Sequence, residues 1–239
     1  MLAWLAANEF VVIGVIWMLV LGPAVGNYAC SVVYRLPRGK TPFERHPYCG
    51  HCNADLKPID LFPIWSWLST KGKCRYCAGE IPSVYTVIEV LCGAVFIAYF
   101  LQFGISEQFL LYTAYAVFVV MMAAIHWQQG WISATIYSYA FVCVALARVL
   151  SEHSIYPTIQ SAFLMLILAL LFNQTSKTRK LSPFEKPWIW WFVLMGALVP
   201  LAQWKFILPI FILKFLVPKE ARVMVYATAA LTLPLFIIV

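Results

Sequence analysis

Four cysteines stand in two short pairs, Cys49-Gly50-His51-Cys52 and Cys74-Arg75-Tyr76-Cys77, with about twenty residues between the pairs. Each CxxC turn can aim two sulfurs at one ion, and two such turns complete a tetrahedron, so the spacing is that of a four-thiolate zinc ribbon. Zinc has no redox chemistry, and four thiolates leave no coordination position open. The expected role is structural: the metal folds a segment too small to stabilise itself. Two disulfides or four free thiols are the competing readings, and a cytoplasmic setting disfavours the disulfides. Gly50 is expected to give the first turn its conformational freedom. His46 and His51 read as solvated loop residues, and Cys30, Cys92 and Cys143, in apolar stretches, as small core residues.

Acids come next. Asp55 and Asp60 are the only aspartates in the sequence, and both fall between the cysteine pairs. Glu89 and Glu9 lie within or near apolar stretches, where an acid is by default a functional candidate. Glu89 sits less than two turns past the end of the cysteine-bearing segment. It therefore serves a site or braces that segment at the membrane interface, and both readings stand. No Gly-rich phosphate loop, HExxH or GxSxG pattern is present. Trp188, Trp190 and Trp191 read as an interfacial aromatic belt.

The elements that must position these residues are membrane helices. Hydrophobic residues make up 63% of the chain and charged residues 11%, against about 45–50% and about 25% in soluble domains. This excludes an ordinary water-soluble fold. Apolar runs long enough to cross a hydrocarbon core of about 30 Å recur. The net charge of +7 reads as basic cytoplasmic loops and not as a nucleic-acid surface. The first segment is too long, and lacks a small-residue cleavage site, to be a removable signal peptide. Spans are expected near 10–33, 83–103, 109–125, 132–150, 155–172, 188–201, 206–217 and 223–239. The sixth and seventh are short enough to be one broken helix, giving seven spans in place of eight. Arg35, Arg38, Lys40, Lys177, Arg179, Lys180, Lys186, Lys219 and Arg222 fall on one side if the N-terminus is periplasmic. Arg148 and Lys205, near outer helix ends, can snorkel. The expected fold is an all-α polytopic membrane protein of about eight transmembrane helices with a small cytoplasmic zinc-ribbon insert after the first helix. Its parts are a first helix at 1–34, the zinc-binding insert at 35–82 and a helical bundle at 83–239. No internal repeat is apparent.

Around the cysteines, "GNYACSVVYRLP", "FPIWSWL", "KGKCRYC" and "YTVIEVLCG" follow one another in order. Together they resemble the N-terminal region of the type IV prepilin peptidases, the bifunctional leader peptidases and N-methyltransferases of type IV pilus and type II secretion systems. Gly26, Arg35, Leu36, Pro37, Pro63, Ser66, Trp67, Leu68, the four cysteines, Tyr85, Glu89 and Gly93 match the family pattern over roughly the first 95 residues. Asn27, Cys30, Val84 and Ala78 depart from it; at Ala78 the family usually has Gly.

The resemblance implies a peptidase with two aspartates at the cytoplasmic membrane edge, since the cleavage needs two carboxyls that share a proton. Here the first catalytic position corresponds to His126, at the end of "VVMMAAIHWQQGW", and the second to Glu185 or, in another alignment, Trp188. No aspartate follows Asp60. The expectation is an inner-membrane, multi-pass, non-proteolytic accessory that engages prepilins, pseudopilins or a full-length active peptidase, with membrane lipid around it. Two alternatives remain: an S-adenosylmethionine-dependent N-methyltransferase of mature pilin, and a leader peptidase with a site rebuilt from His126 and Glu185, for which a His–Glu pair could serve as acid and base.

Overall fold

The computed structural model describes residues 9–41, 47–129 and 134–152, together with Tyr156, Ile159, Gln160, Phe163, Val193, Ala227 and Leu231. The expected spans beyond residue 155, His46, Glu185, Lys186 and Trp188 lie outside the described residues. Five α-helices run through the described parts: α1 (Glu9–Arg35), α2 (Trp65–Ser69), α3 (Ser83–Phe103), α4 (Glu107–Gln129) and α5 (Ala134–Glu152). Short 3-10 turns cover Leu36–Arg38 and Pro58–Asp60. The chain divides into two compact units, Met1–Gly104 and Ile105–Val239.

Among the described residues, three helices are long and apolar enough to cross a membrane: Glu9–Arg38 with its terminal turn, Ser83–Phe103 and Glu107–Gln129. In α5 the strongly apolar stretch is Ile136–Ala147, shorter than the span expected at 132–150. Local chemistry explains the ends. After Arg35 the Leu-Pro-Arg turn takes over, with Pro37 fixing its own backbone angle and Gly39 closing at φ 67°. Helix α3 stops where Gly104 adopts φ 61° and donates its N–H to the Phe100 carbonyl. Helix α4 starts under the Ser106 hydroxyl, which accepts the Phe109 N–H at 3.1 Å, with Glu107 in the first turn facing the helix dipole.

In the first unit α1 packs along α3, and small residues set the separation. A Cβ on Gly22 would lie 2.7 Å from the Gly93 Cα, and one on Gly26 would lie 2.7 Å from the Glu89 Cα. Gly93 in turn receives the Pro23 ring, and a Cβ there would stand 3.1 Å from the Pro23 Cγ. Gly22 and Gly26, four apart, put this contact on one face of α1, the small-xxx-small arrangement that lets membrane helices approach closely. Ala29, Val33, Ile88 and Cys92 fill the interior along the same helices.

In the second unit α4 packs against α5, with Tyr115, Ala116, Val119, Met122 and Ile125 buried on α4 and Ala140, Val144 and Ala147 on α5. The Phe118 and Tyr139 rings meet at 5.6 Å between centroids.

Candidate metal centre

The segment between α1 and α3 is built around two copies of one turn. In the first, the Cys49 N–H donates to the Ala54 carbonyl at 2.9 Å and the Asn53 N–H returns to the Cys49 carbonyl at 2.9 Å. In the second, the Cys74 N–H donates to the Gly79 carbonyl at 2.8 Å and the Ala78 N–H returns to the Cys74 carbonyl at 2.9 Å. A single antiparallel bridge closes each, Tyr48 with Asp55 and Lys73 with Glu80. The residue after each second cysteine adopts positive φ, 56° at both Asn53 and Ala78. The insert therefore contains a short internal repeat that the sequence reading does not anticipate. The cysteine spacing is its visible trace, and the acids Asp55 and Glu80 at equivalent places are a second.

The two turns face each other and bring Cys49, Cys52, Cys74 and Cys77 together, every sulfur within 4.8 Å of the others. Cys49 Sγ and Cys77 Sγ are 3.9 Å apart. Four sulfurs held tetrahedrally at about 2.3 Å from one ion would be separated by about 3.8 Å, so the cluster fits a metal ion. It does not fit disulfides, and all four are free thiols. The Gly79 amide lowers the Cys77 thiol, but burial and the neighbouring Cys52, Cys74 and Cys49 sulfurs outweigh it and push it up to about 11. A cation among the sulfurs inverts that balance, because it holds thiolates directly.

Gly50 does something other than expected. Its backbone is not in the left-handed region; it is small because a Cβ would meet the Tyr34 hydroxyl at 2.8 Å, where the last turn of α1 touches the knuckle. His51 is not among the clustered ligands: its Nε2 lies 3.3 Å from the Glu80 carbonyl and its ring covers Gly79. Asp60 is occupied as well. Its carboxylate accepts the Lys57 N–H at 3.1 Å and the Tyr76 hydroxyl at 2.8 Å, and pairs with Arg75 at 2.9 Å. Burial raises its pKa, but those three donors together hold it below the ordinary carboxylate range.

Glu89 joins the insert to the helices. One carboxyl oxygen accepts the Ile64 N–H at 2.7 Å and the other the Asn27 amide at 3.2 Å. The same Asn27 nitrogen donates to the Leu61 carbonyl at 3.0 Å. Ile64 stands at φ 62°, ψ −49°, and the Trp65 N–H closes onto the Pro63 carbonyl. This is the rare, strained form of γ-turn, held here on a β-branched residue. Trp67 secures the return path: its indole N–H reaches the Ile81 carbonyl at 3.2 Å and its ring lies against Gly72. Of the two readings of Glu89, bracing is the one these contacts support. Cys30 donates to the Tyr85 carbonyl at 3.3 Å and Cys92 is buried between the helices. His126 is half-buried in the last turn of α4.

Residues 20–103 match the family model described as the bacterial peptidase A24 N-terminal domain. A prepilin leader peptidase/N-methyltransferase of Myxococcus xanthus is 35% identical over 92 residues, covering 37% of this chain and 27% of that protein. The protein of the same name in Bacillus subtilis is 30% identical over 91 residues, covering 38% of this chain and 37% of its own length. That of Stutzerimonas stutzeri is 29% identical over 119 residues, covering 39% and 40%. The chain thus spans roughly a quarter to two-fifths of the length of these relatives. No solved structure matches.

Proposed function

Starting from an N-terminal region related to the prepilin peptidase family, we propose that this protein is a bacterial inner-membrane component of pilin processing that binds clients without cutting them. Its clients are prepilins or pseudopilins of a type IV pilus or type II secretion system, or the active peptidase itself. The four-thiolate cluster holds a structural zinc ion on the cytoplasmic side, within an eight-span topology whose N-terminus is periplasmic. Zinc would supply folding energy there and no reaction step.

One observation carries the non-proteolytic reading. Aspartic cleavage needs two carboxyls close enough to share a proton, and the two aspartates of this sequence both belong to the metal-bearing insert. Asp60 is already engaged by Lys57, Tyr76 and Arg75, and Asp55 sits in the bridge that closes the first knuckle. The position that the resemblance assigns to one catalytic aspartate is His126. A half-buried imidazole at a helix end, with no nucleophile beside it in the sequence, is a poor replacement for a carboxyl pair.

The test is co-expression with a tagged prepilin in cells lacking any other prepilin peptidase. An unshortened prepilin that co-purifies with this protein is the expected result, and a shorter product overturns the reading. In the native host, His126→Ala and Glu185→Ala should leave pilus assembly or secretion intact, whereas Cys49→Ser with Cys52→Ser should abolish it. Incorporation of label from S-adenosylmethionine into mature pilin would replace binding by methyl transfer.

A further inference from the structure

Four large apolar side chains of the insert face outward at a spacing of three residues: Ile59 (56% exposed), Phe62 (62%), Trp65 (63%) and Leu68 (56%). They run from the Pro58–Asp60 turn through the γ-turn to the end of α2. Helix α3 places this strip relative to a membrane. Its 21 residues at about 1.5 Å each give about 31 Å, the thickness of a hydrocarbon core. Glu89, six residues in from Ser83, therefore lies about 9 Å inside the boundary. The Ile64 N–H is bonded to that carboxyl, and the Leu61 carbonyl to Asn27. The strip thus hangs beside the helices at the depth of their polar pair and not above their ends.

Much of the strip's backbone, though not the amides of Ile59, Phe62 and Trp67, is satisfied internally. Amides exposed to lipid need an internal acceptor. Those of Asp60, Leu61, Trp65, Ser66 and Leu68 have backbone acceptors, and that of Ile64 has Glu89. Pro58 and Pro63 have no N–H to satisfy. Charge points the same way. Exposed Lys57, Lys71 and Lys73 flank the strip in sequence, and the acid within it, Asp60, is paired with Arg75. Val87, Val90 and Leu91 on α3 and Tyr28 on α1 are exposed as well.

We propose that Ile59, Phe62, Trp65 and Leu68 form a foot by which the insert sits in the headgroup–acyl boundary of an anionic lipid leaflet. Interfacial helices bury their apolar face about 5–10 Å into that boundary, the depth reached here. The lysines at either end supply the preference for anionic headgroups. The foot fixes the height of the metal centre above the membrane, independently of any client.

The experiment uses the full chain in nanodiscs of phosphatidylglycerol or phosphatidylcholine, with p-benzoylphenylalanine replacing Phe62 or Trp65, and Asp55 as the control site on the first knuckle. Each variant is first shown to retain its bound metal. On illumination, mass spectrometry should find lipid adducts at positions 62 and 65 at several-fold the yield at 55. The yield should be several-fold greater in phosphatidylglycerol, and the joint change Lys57→Gln, Lys71→Gln and Lys73→Gln should remove that preference. Adducts to other peptides of this chain, to a second copy or to another protein overturn the proposal. A yield at 62 and 65 equal to that at 55 does so too.

Discussion

Replacing Glu89 separates a brace from a reacting group. In Glu89→Ala the Ile64 N–H loses its acceptor, and Asn27 keeps only its bond to the Leu61 carbonyl. A buried donor left unsatisfied costs about 1–3 kcal/mol. The Ile64 amide should cost an amount within that range; the strain of a β-branched residue at φ 62°, of the order of 1–3 kcal/mol, is relieved on undocking in wild type and variant alike and cancels from the difference. Asn27, still half-satisfied, should fall near the lower end. The sum is about 2–4 kcal/mol, or between about 30-fold and 700-fold in the fraction of molecules with the insert undocked. Glu89→Gln keeps one oxygen for Ile64 but turns an amide NH2 toward the Asn27 NH2. It should lose about 1 kcal/mol, roughly five-fold. Protease cleavage between residues 57 and 72 of the full protein in nanodiscs, under conditions where opening is at equilibrium, reads the open fraction directly. The order wild type, Gln, Ala in increasing cleavage is the expected outcome. Wild-type protection in the Ala variant would refute the brace. Lost pilus assembly in a Gln variant whose insert stays protected would assign Glu89 to a functional site instead.

Three further outcomes follow from the geometry. Gly22→Ala sets a methyl against the Gly93 backbone, so the helices must part, at a cost of about 1–3 kcal/mol; Gly14→Ala meets first the far edge of the Phe100 side chain and not backbone, and thermal unfolding in detergent should show the smaller loss. Cys49→Ser with Cys74→Ser removes one ligand from each knuckle, and elemental analysis of the purified chain should fall from about one zinc per molecule to none, with the insert opened to protease. Ala78→Gly relieves an alanine held at φ 56°; against the extra freedom glycine gains when unfolded, a net gain of up to about 1 kcal/mol remains. Slower zinc release to a chelator checks it, and Asn53→Gly should gain less, because asparagine tolerates that conformation better.

What was legible in the sequence was local. The cysteine spacing announces the cluster because a CxxC turn is a matter of four consecutive residues, and residues 83–103 announce a spanning helix because apolar length alone decides it. Contacts made across the chain were not legible. Gly50 looks like a flexible turn residue until Tyr34, at the end of α1, is found against it. The left-handed backbone at Ala78 is hidden by a residue type that rarely adopts it, and only the glycine usual there in the family hints at it. Glu89 finds its partners 25 and 62 residues away, too far for any periodicity to pair them. The repeat of the two knuckles is written in backbone hydrogen bonds, to which side-chain identity gives almost no clue. His126 and Glu185 are a different case: Glu185 lies outside the described residues, so their pairing rests on the sequence alone.

Several of the residues that carry the family resemblance prove to be those that dock the insert on the helices. Gly26 lets α1 close on Glu89, Glu89 holds the Pro63–Trp65 turn, Trp67 ties that turn to the exit at Ile81, and Gly93 receives Pro23. A chain can keep every one of them and still lack a carboxyl pair elsewhere, so resemblance over this stretch is resemblance of a platform. The platform is also one coupled object. A metal bound by the four cysteines would order the two knuckles, Arg75 beside Cys74 pairs with Asp60 at the end of the Pro58–Asp60 turn, and the strip that follows is held by Asn27 and Glu89. Coupling of this kind is reciprocal: whatever factor metal binding adds to docking, docking must add to metal affinity. Glu89→Ala should therefore weaken zinc binding although Glu89 is no ligand. Stripping the zinc should in turn loosen the Asn27–Glu89 contact between the helices by the same factor. A zinc affinity unmoved by Glu89→Ala would mean that the knuckles fold independently of the helices, and the platform would then be two separate parts.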